Sequence, residues 1–150
     1  MASFNKQGRP DRLPTLTGLN ILVAEDDFVI SEYVRTVIES AGAKVVGPAA
    51  DVERACALAR TGGLHGAVLD LQLRDDVAEP LMNELNSRNI PFVVISGFEH
   101  SSVPQRFAAM SYIAKPIADT ELIEKVAAGI GPNLTAFRRG LGGAADSRRK

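Results

Sequence analysis

Charged and hydroxyl side chains follow four short apolar runs of this sequence, each at the point where the run ends. The runs and the residues after them are 21–24 with Glu25, Asp26 and Asp27; 67–69 with Asp70; 92–95 with Ser96; and 112–114 with Lys115. Short continuous apolar runs predict strands that are buried on both faces, as in a parallel sheet. Because ligands of an open parallel sheet bind beyond the carboxyl ends of its strands, we expect these side chains to share one edge.

The residue types at that edge favour phosphate chemistry with a divalent cation. Crowded carboxylates repel one another unless a positive charge joins them, and Mg²⁺ prefers oxygen ligands, often with a phosphate among them. Lys115 offers a point charge suited to a phosphoryl oxygen, and the hydroxyl of Ser96 can donate to another. Together, these side chains could bind a tetrahedral dianion attached to a carboxylate.

Each of these residues also has an ordinary structural interpretation. Asp27 is expected to be a helix N-cap, and Glu25 and Asp26 could serve as cap and solvated surface. Asp70 alone could cap a turn, and Lys115 alone could be a surface lysine. The functional hypothesis rests on four separate strand ends that present groups useful to the same chemistry.

The pattern between the acidic residues predicts five strands that alternate with five helices. The strands are expected at 21–24, 44–47, 67–69, 92–95 and 112–114, with Pro48 closing the second. Apolar spacing of three and four residues predicts helices after 27, 51, 79 and 119, with Asp51 as a cap, whereas 98–110 predicts only a short or mobile helix. This order indicates an α/β fold with helices on both faces of the sheet. We expect an N-terminal extension at 1–18, one domain at 19–131 and a flexible tail at 132–150.

Composition narrows the classes of function. The 150 residues carry a formal net charge of −1, so no global field favours nucleic acid or anionic lipid. Cys56 is the only cysteine, which excludes an internal disulfide and predicts a buried apolar side chain. The opening residues have no apolar core of a signal peptide, and no run approaches the roughly 20 apolar residues that span a bilayer. These features predict a cytoplasmic protein without a nucleic-acid or membrane partner.

Four segments together resemble the receiver domain of bacterial two-component response regulators. They are Ile21-Leu22-Val23-Ala24-Glu25-Asp26-Asp27, Val68-Leu69-Asp70-Leu71, Val94-Ile95-Ser96-Gly97 and Tyr112-Ile113-Ala114-Lys115-Pro116. The run from Ile90 to Phe98 is similar to single-domain receivers of alphaproteobacteria. The resemblance implies a flavodoxin-like (βα)5 fold with a doubly wound parallel sheet in the order 2-1-3-4-5. It also implies a phosphoprotein that signals rather than an enzyme, catalysing only its own phosphorylation and slow dephosphorylation.

The resemblance further implies roles for individual residues. Asp70 would accept the phosphoryl group, and Mg²⁺, for which Mn²⁺ can substitute, would be held by Glu25, Asp26, Asp70 and the backbone carbonyl of Gln72. Ser96 and Lys115 would contact the phosphate. Ser96 and Tyr112 would act as the conformational switch, and the Lys115–Pro116 peptide bond would be cis.

The implied partners are a histidine kinase or histidine phosphotransfer protein and a downstream protein. Too few residues follow Ile130 for an output domain, so we expect signalling by protein contact or onward phosphotransfer, with possible homodimerisation through the 98–130 face. Two alternatives stay open: a degenerate receiver that binds proteins without phosphorylation, and a phosphatase of the haloacid dehalogenase type. The latter chemistry needs a second aspartate two residues after the nucleophile, where this chain has Gln72.

Overall fold

A five-stranded parallel sheet with helices on both faces organises the chain. The computed structural model describes residues 13–97 and 102–131. The elements, in chain order, are β1 Asn20–Ala24, α1 Phe28–Ser40, β2 Lys44–Ala49, α2 Val52–Arg60, β3 Gly66–Asp70, β4 Gln72–Leu73, β5 Asp76–Val77, α3 Glu79–Ser87, β6 Phe92–Ser96, a 3-10 helix Gln105–Phe107, β7 Ser111–Ala114 and α4 Asp119–Gly129. The sheet order is β2-β1-β3-β6-β7, with every pair parallel, which confirms the expected 2-1-3-4-5 order of a flavodoxin-like fold.

The central strands are apolar because helices cover both of their faces. All five residues of β3 and of β6 are buried, and two separate apolar clusters lie on the two sides of the sheet. One cluster packs beneath α2 and α3, and the other beneath α1 and α4. Cys56 is buried in the first cluster, as its apolar surroundings predict.

Capping side chains fix where the first two helices begin. Asp27 accepts a hydrogen bond from the Ile30 amide at 3.0 Å, and Asp51 accepts one from the Arg54 amide at 2.7 Å. Both carboxylates satisfy amides that have no partner within the helix, and both caps were predicted. The start of α1 is therefore set directly after the acidic residues that follow β1.

One local prediction from the sequence was wrong. Pro48 does not close the second strand, because β2 continues to Ala49 through a cis Gly47–Pro48 bond. The strand tolerates proline because β2 is at the edge of the sheet. The short helix expected at 98–110 is present in the described part as one 3-10 turn at Gln105–Phe107, and residues 98–101 lie outside the described residues.

The connection after β3 contains two short strands that the sequence analysis did not identify. Residues 72–77 form an antiparallel hairpin in which Gln72 pairs with Val77 and Leu73 pairs with Asp76. The amide of Ala78 donates to the carbonyl of Leu71 at 2.7 Å and closes the base of this hairpin. The connection is thus an ordered element directly beyond Asp70.

The residues before β1 contribute to the core. Leu16 is only 1% exposed, and its amide donates to the carbonyl of Ala41 at 2.8 Å. Leu16 lies in the segment 1–18 that we expected to be an extension, yet it packs in the same apolar cluster as Ile38. Residues 1–12 and the expected tail at 132–150 lie outside the described residues. In the described ranges, no helix is long and apolar enough to cross a membrane.

We predict that Leu16→Ala lowers the free energy of unfolding by about 2–4 kcal/mol, because it leaves a cavity among buried side chains. Leu13→Ala is the matched control, since Leu13 is 37% exposed and should change stability by less than about 0.5 kcal/mol. Urea unfolding followed by circular dichroism measures both. Equal effects of the two substitutions would contradict the packing of Leu16.

Candidate functional site

Strand register brings the ends of four strands to one edge. Ala24 of β1 lies beside Leu69 of β3, so the residues that follow them, Glu25 and Asp70, lie level with each other. Asp70 in turn lies beside Ile95, the residue before Ser96. Ser96 and Lys115 complete the edge, because Ser96 is the last residue of β6 and Lys115 directly follows β7. The parallel sheet therefore assembles the polar residues that the sequence pattern singled out.

The ammonium of Lys115 lies between two carboxylates. Its Nζ is 2.6 Å from Oδ2 of Asp70 and 2.7 Å from Oε1 of Glu25. The side chain of Glu25 is fully buried and that of Asp70 is 8% exposed, whereas Lys115 is 22% exposed. One cation thus offsets part of the repulsion between two buried acids.

Three carboxylates are close enough to hold one metal ion. Glu25, Asp26 and Asp70 each offer an oxygen, and these oxygens lie within 4.8 Å of one another. Oε1 of Glu25 is buried, and its contact is the Lys115 ammonium at 2.7 Å. An oxygen-only donor set with net negative charge fits a hard divalent cation such as Mg²⁺.

Backbone amides hold the other carboxylate oxygens in place. Oδ1 of Asp70 accepts from the Gln72 amide at 3.1 Å, and Oε2 of Glu25 accepts from the Asp27 amide at 3.3 Å. Oδ2 of Asp26 accepts from the Arg74 amide at 2.8 Å. Sequence reasoning missed Arg74, and no side-chain signal could have identified it, because the donor is main chain.

The surroundings shift the protonation of the acids in different directions. Burial raises the pKa of the Glu25 carboxyl to about 7, and the nearby Lys115 ammonium only partly offsets this. Burial also acts to raise the pKa of Asp26, but hydrogen bonds from Glu25 and from the Arg74 amide outweigh it and lower the pKa. Burial disfavours the charged form of Lys115, yet its contacts with Asp70 and Glu25 raise the pKa of the ammonium.

The remaining expected site residues flank this cluster. Ser96 is fully buried, and its carbonyl accepts from the Lys115 amide at 2.9 Å. Tyr112 is half-buried beside the core cluster under α2 and α3, and Gln72 begins the hairpin. The Lys115–Pro116 bond is cis. On the side of α1, a cleft of about 250 Å³ is lined in part by Glu25 and Asp26, and Asp26 is the exposed member of the acidic cluster.

Comparison with known proteins agrees with this geometry. The family model "Response regulator receiver domain" matches residues 21–127. The chain therefore belongs to the response regulator receiver domain family, whose members are signalling domains.

Individual relatives cover different shares of the chain. A transcriptional regulatory protein of Mycobacterium tuberculosis, PdtaR, is 26% identical over 110 residues, which are 71% of this chain and 54% of PdtaR. The chain thus spans about half the length of this curated relative. The solution structure of SdrG from Sphingomonas melonis has a TM-score of 0.65 at 30% identity and covers 77% of this chain and 96% of SdrG. The receiver domain of sensor histidine kinase PA1611 from Pseudomonas aeruginosa, solved with magnesium in its active site cleft, has a TM-score of 0.66 at 23% identity over 77% of this chain and 99% of that domain.

We predict that Glu25→Gln stabilises the metal-free protein more at pH 8 than at pH 5. The folded-state pKa of Glu25 lies above its ordinary value of 4.5, so the wild type loses stability as pH rises from about 4.5 through about 7. A neutral glutamine avoids this loss, and the advantage of the variant should be on the order of 2 kcal/mol larger at pH 8.

Urea unfolding in the presence of a chelator measures this difference. Glu53→Gln is the control, because Glu53 is exposed on α2 and should alter stability equally at the two pH values. If Glu25→Gln also gave the same change at both, Glu25 would not be the buried acid that the structure describes.

Proposed function

We propose that this receiver domain accepts a phosphoryl group on Asp70 from a phosphohistidine donor in the presence of Mg²⁺. The observation that carries the proposal is the contact of the Lys115 ammonium with Oδ2 of Asp70 inside a cluster of three carboxylates. A lysine ammonium held at 2.6 Å from the accepting carboxylate can contact a negatively charged phosphate oxygen once the phosphoryl group is attached. The family assignment supports the same chemistry.

In the proposed reaction a carboxylate oxygen of Asp70 attacks phosphorus in line with the leaving group. The new O–P bond forms as the P–N bond of the donor breaks, and its electron pair returns to the imidazole nitrogen. The product is an acyl phosphate that water later hydrolyses. Asp70 needs no base for this attack, since it reacts as a carboxylate.

The chain's own residues contribute position and charge. The amide of Gln72 holds Oδ1 of Asp70, which fixes the orientation of the carboxylate. Lys115 and the hydroxyl of Ser96 would stabilise negative charge on the equatorial oxygens. Glu25, Asp26, Asp70 and the carbonyl of Gln72 would hold Mg²⁺ or Mn²⁺, which when bound neutralises the carboxylates and the phosphoryl oxygens.

A local switch would carry the signal away from Asp70. Ser96 is the last residue of β6, and Tyr112 lies in the neighbouring strand β7, next to the connection that precedes it. We propose that Ser96 moves towards the phosphate and that Tyr112 rotates inwards, so that the connection 98–110 repacks. The single 3-10 turn in its described part offers few regular hydrogen bonds to resist repacking.

The proposed partners follow from this chemistry. A histidine kinase or histidine phosphotransfer protein would supply the phosphoryl group, and a downstream protein or a second copy would recognise the 98–130 face. Residues 98–101 of that face, including Phe98, lie outside the described residues. We place the protein in the cytoplasm because both its donor and its Mg²⁺ are available there.

We expect that a small phosphodonor with Mg²⁺ adds one base-labile phosphate to the wild type and none to Asp70→Asn, because the amide is not a nucleophile of comparable strength. Intact-protein mass spectrometry measures the addition. Asp119→Asn is the control, since Asp119 is exposed at the start of α4, outside the acidic cluster and the hairpin, and the variant should be phosphorylated like the wild type.

The same experiment separates the alternative functions. A wild type that gains no phosphate with Mg²⁺ present would contradict the proposal and favour a receiver that only binds proteins. Rapid turnover of unrelated phosphomonoesters would favour a phosphatase, although Gln72 occupies the position where that chemistry needs an aspartate.

A further inference from the structure

The hairpin 72–77 contacts the acidic cluster through two backbone amides, that of Gln72 to Asp70 and that of Arg74 to Asp26. The N–H of Arg74 donates to Oδ2 of Asp26 at 2.8 Å across 48 residues of sequence. Asp26 is the exposed member of the three-carboxylate cluster, whereas Glu25 and Asp70 are buried. The carboxylate of Asp26 therefore has less packing around it to fix its orientation.

Arg74 reaches Asp26 from an unusual backbone conformation. It is the first of the two residues that join β4 to β5, and its φ is +56°. Two-residue hairpin loops need positive φ and usually take Gly, Asn or Asp there, since other residues adopt it at a cost of about 1 kcal/mol or more. The surrounding hairpin maintains this conformation: Leu73 is fully buried, and the Ala78 amide closes the base.

We infer that Arg74 is a positioning residue for the cation site, acting through its backbone N–H on the orientation of Asp26. The inference rests on the proposed function only in taking Asp26 as a cation ligand. A hydrogen bond to a ligating carboxylate restricts its rotation before the ion arrives, and removing such partners typically weakens metal binding by about 10–100-fold. The hairpin that follows the phosphoacceptor is then part of the cation site.

The role of the amide can be separated from that of the side chain. Arg74→Ala keeps the N–H and removes the guanidinium, and Arg74→Gly keeps the N–H and adopts positive φ without strain. Arg74→Pro removes the N–H and fixes φ near −65°. We expect Arg74→Ala to bind Mg²⁺ as the wild type does, Arg74→Gly at least as tightly, and Arg74→Pro at least about tenfold more weakly.

Titration of the metal-free protein with Mg²⁺, followed by NMR at 0.15 M salt, measures these affinities with little contribution from long-range charge. The same spectra report the amide of Arg74 directly. Its exchange with solvent should slow when Mg²⁺ binds, because coupling between two sites is reciprocal. The amide of Ala78 shows whether the base of the hairpin is intact in each variant.

A second pair of proteins covers the case in which Arg74→Pro disrupts the hairpin. Cell-free synthesis can place lactic acid at position 74, which replaces only the N–H of Arg74→Ala with an ester oxygen. We expect this ester protein to bind Mg²⁺ at least about tenfold more weakly than Arg74→Ala. Equal affinities of this pair would overturn the inference, as would a loss in Arg74→Ala as large as that in Arg74→Pro.

The outcomes also distinguish this inference from the proposed function. If the wild type binds Mg²⁺ with the expected order of variants but gains no phosphate on Asp70, the positioning role stands and the phosphoacceptor role fails. If the wild type is phosphorylated and the ester protein binds Mg²⁺ like Arg74→Ala, the reverse holds. A wild type that binds no Mg²⁺ overturns both.

Discussion

Two buried carboxylates at the end of a parallel sheet raise the free energy of the folded protein, because burial disfavours their charged form and the two charges repel each other. Glu25 and Asp70 are in this position, and the ammonium of Lys115 contacts both. Burying an ion pair seldom gains stability overall, since desolvation offsets the attraction. The arrangement is therefore better understood as a site prepared for further positive charge and for phosphate than as a stabilising device.

The parallel sheet is what allows this arrangement to form. Because the strands are parallel, the carboxyl ends of β1, β3, β6 and β7 lie at the same edge of the sheet. Two apolar clusters bury both faces of these strands. Helix caps reinforce the geometry, since Asp27 begins α1 directly after the acidic pair. The core thus fixes the spacing of groups that would otherwise repel one another, and the cost of that spacing is met by packing elsewhere.

Much of this could be predicted from the sequence, because burial on both faces leaves a clear apolar signature. The five strands, four helices and the strand-end positions of Glu25, Asp70 and Lys115 follow from apolar runs and periodicity. The hairpin at 72–77 could not be predicted in this way, since its loop contains Arg74 where a turn signal would be Gly or Asn. The strand break expected at Pro48 was wrong because local sequence does not reveal that β2 is an edge strand.

The hydrogen bond from the Arg74 amide to Asp26 shows most clearly what could not be predicted from the sequence. Main-chain donors have no residue type, so no motif can identify them, and only the folded chain brings 26 and 74 together. Side-chain chemistry was thus accessible from the sequence, whereas the main-chain contacts that orient it were not.

The proline within β2 has a consequence for how copies of the protein meet in concentrated solution. An edge strand exposes unpaired backbone N–H and C=O groups, with which a strand of another chain can pair. Folded proteins avoid this pairing by interrupting the row of exposed backbone donors. Pro48 lacks an N–H, and Gly47 before it has a φ of +94°. The edge strand β2 is therefore irregular and lacks one backbone donor. That side of the sheet is consequently a poor template for the strand-to-strand stacking that leads to aggregates.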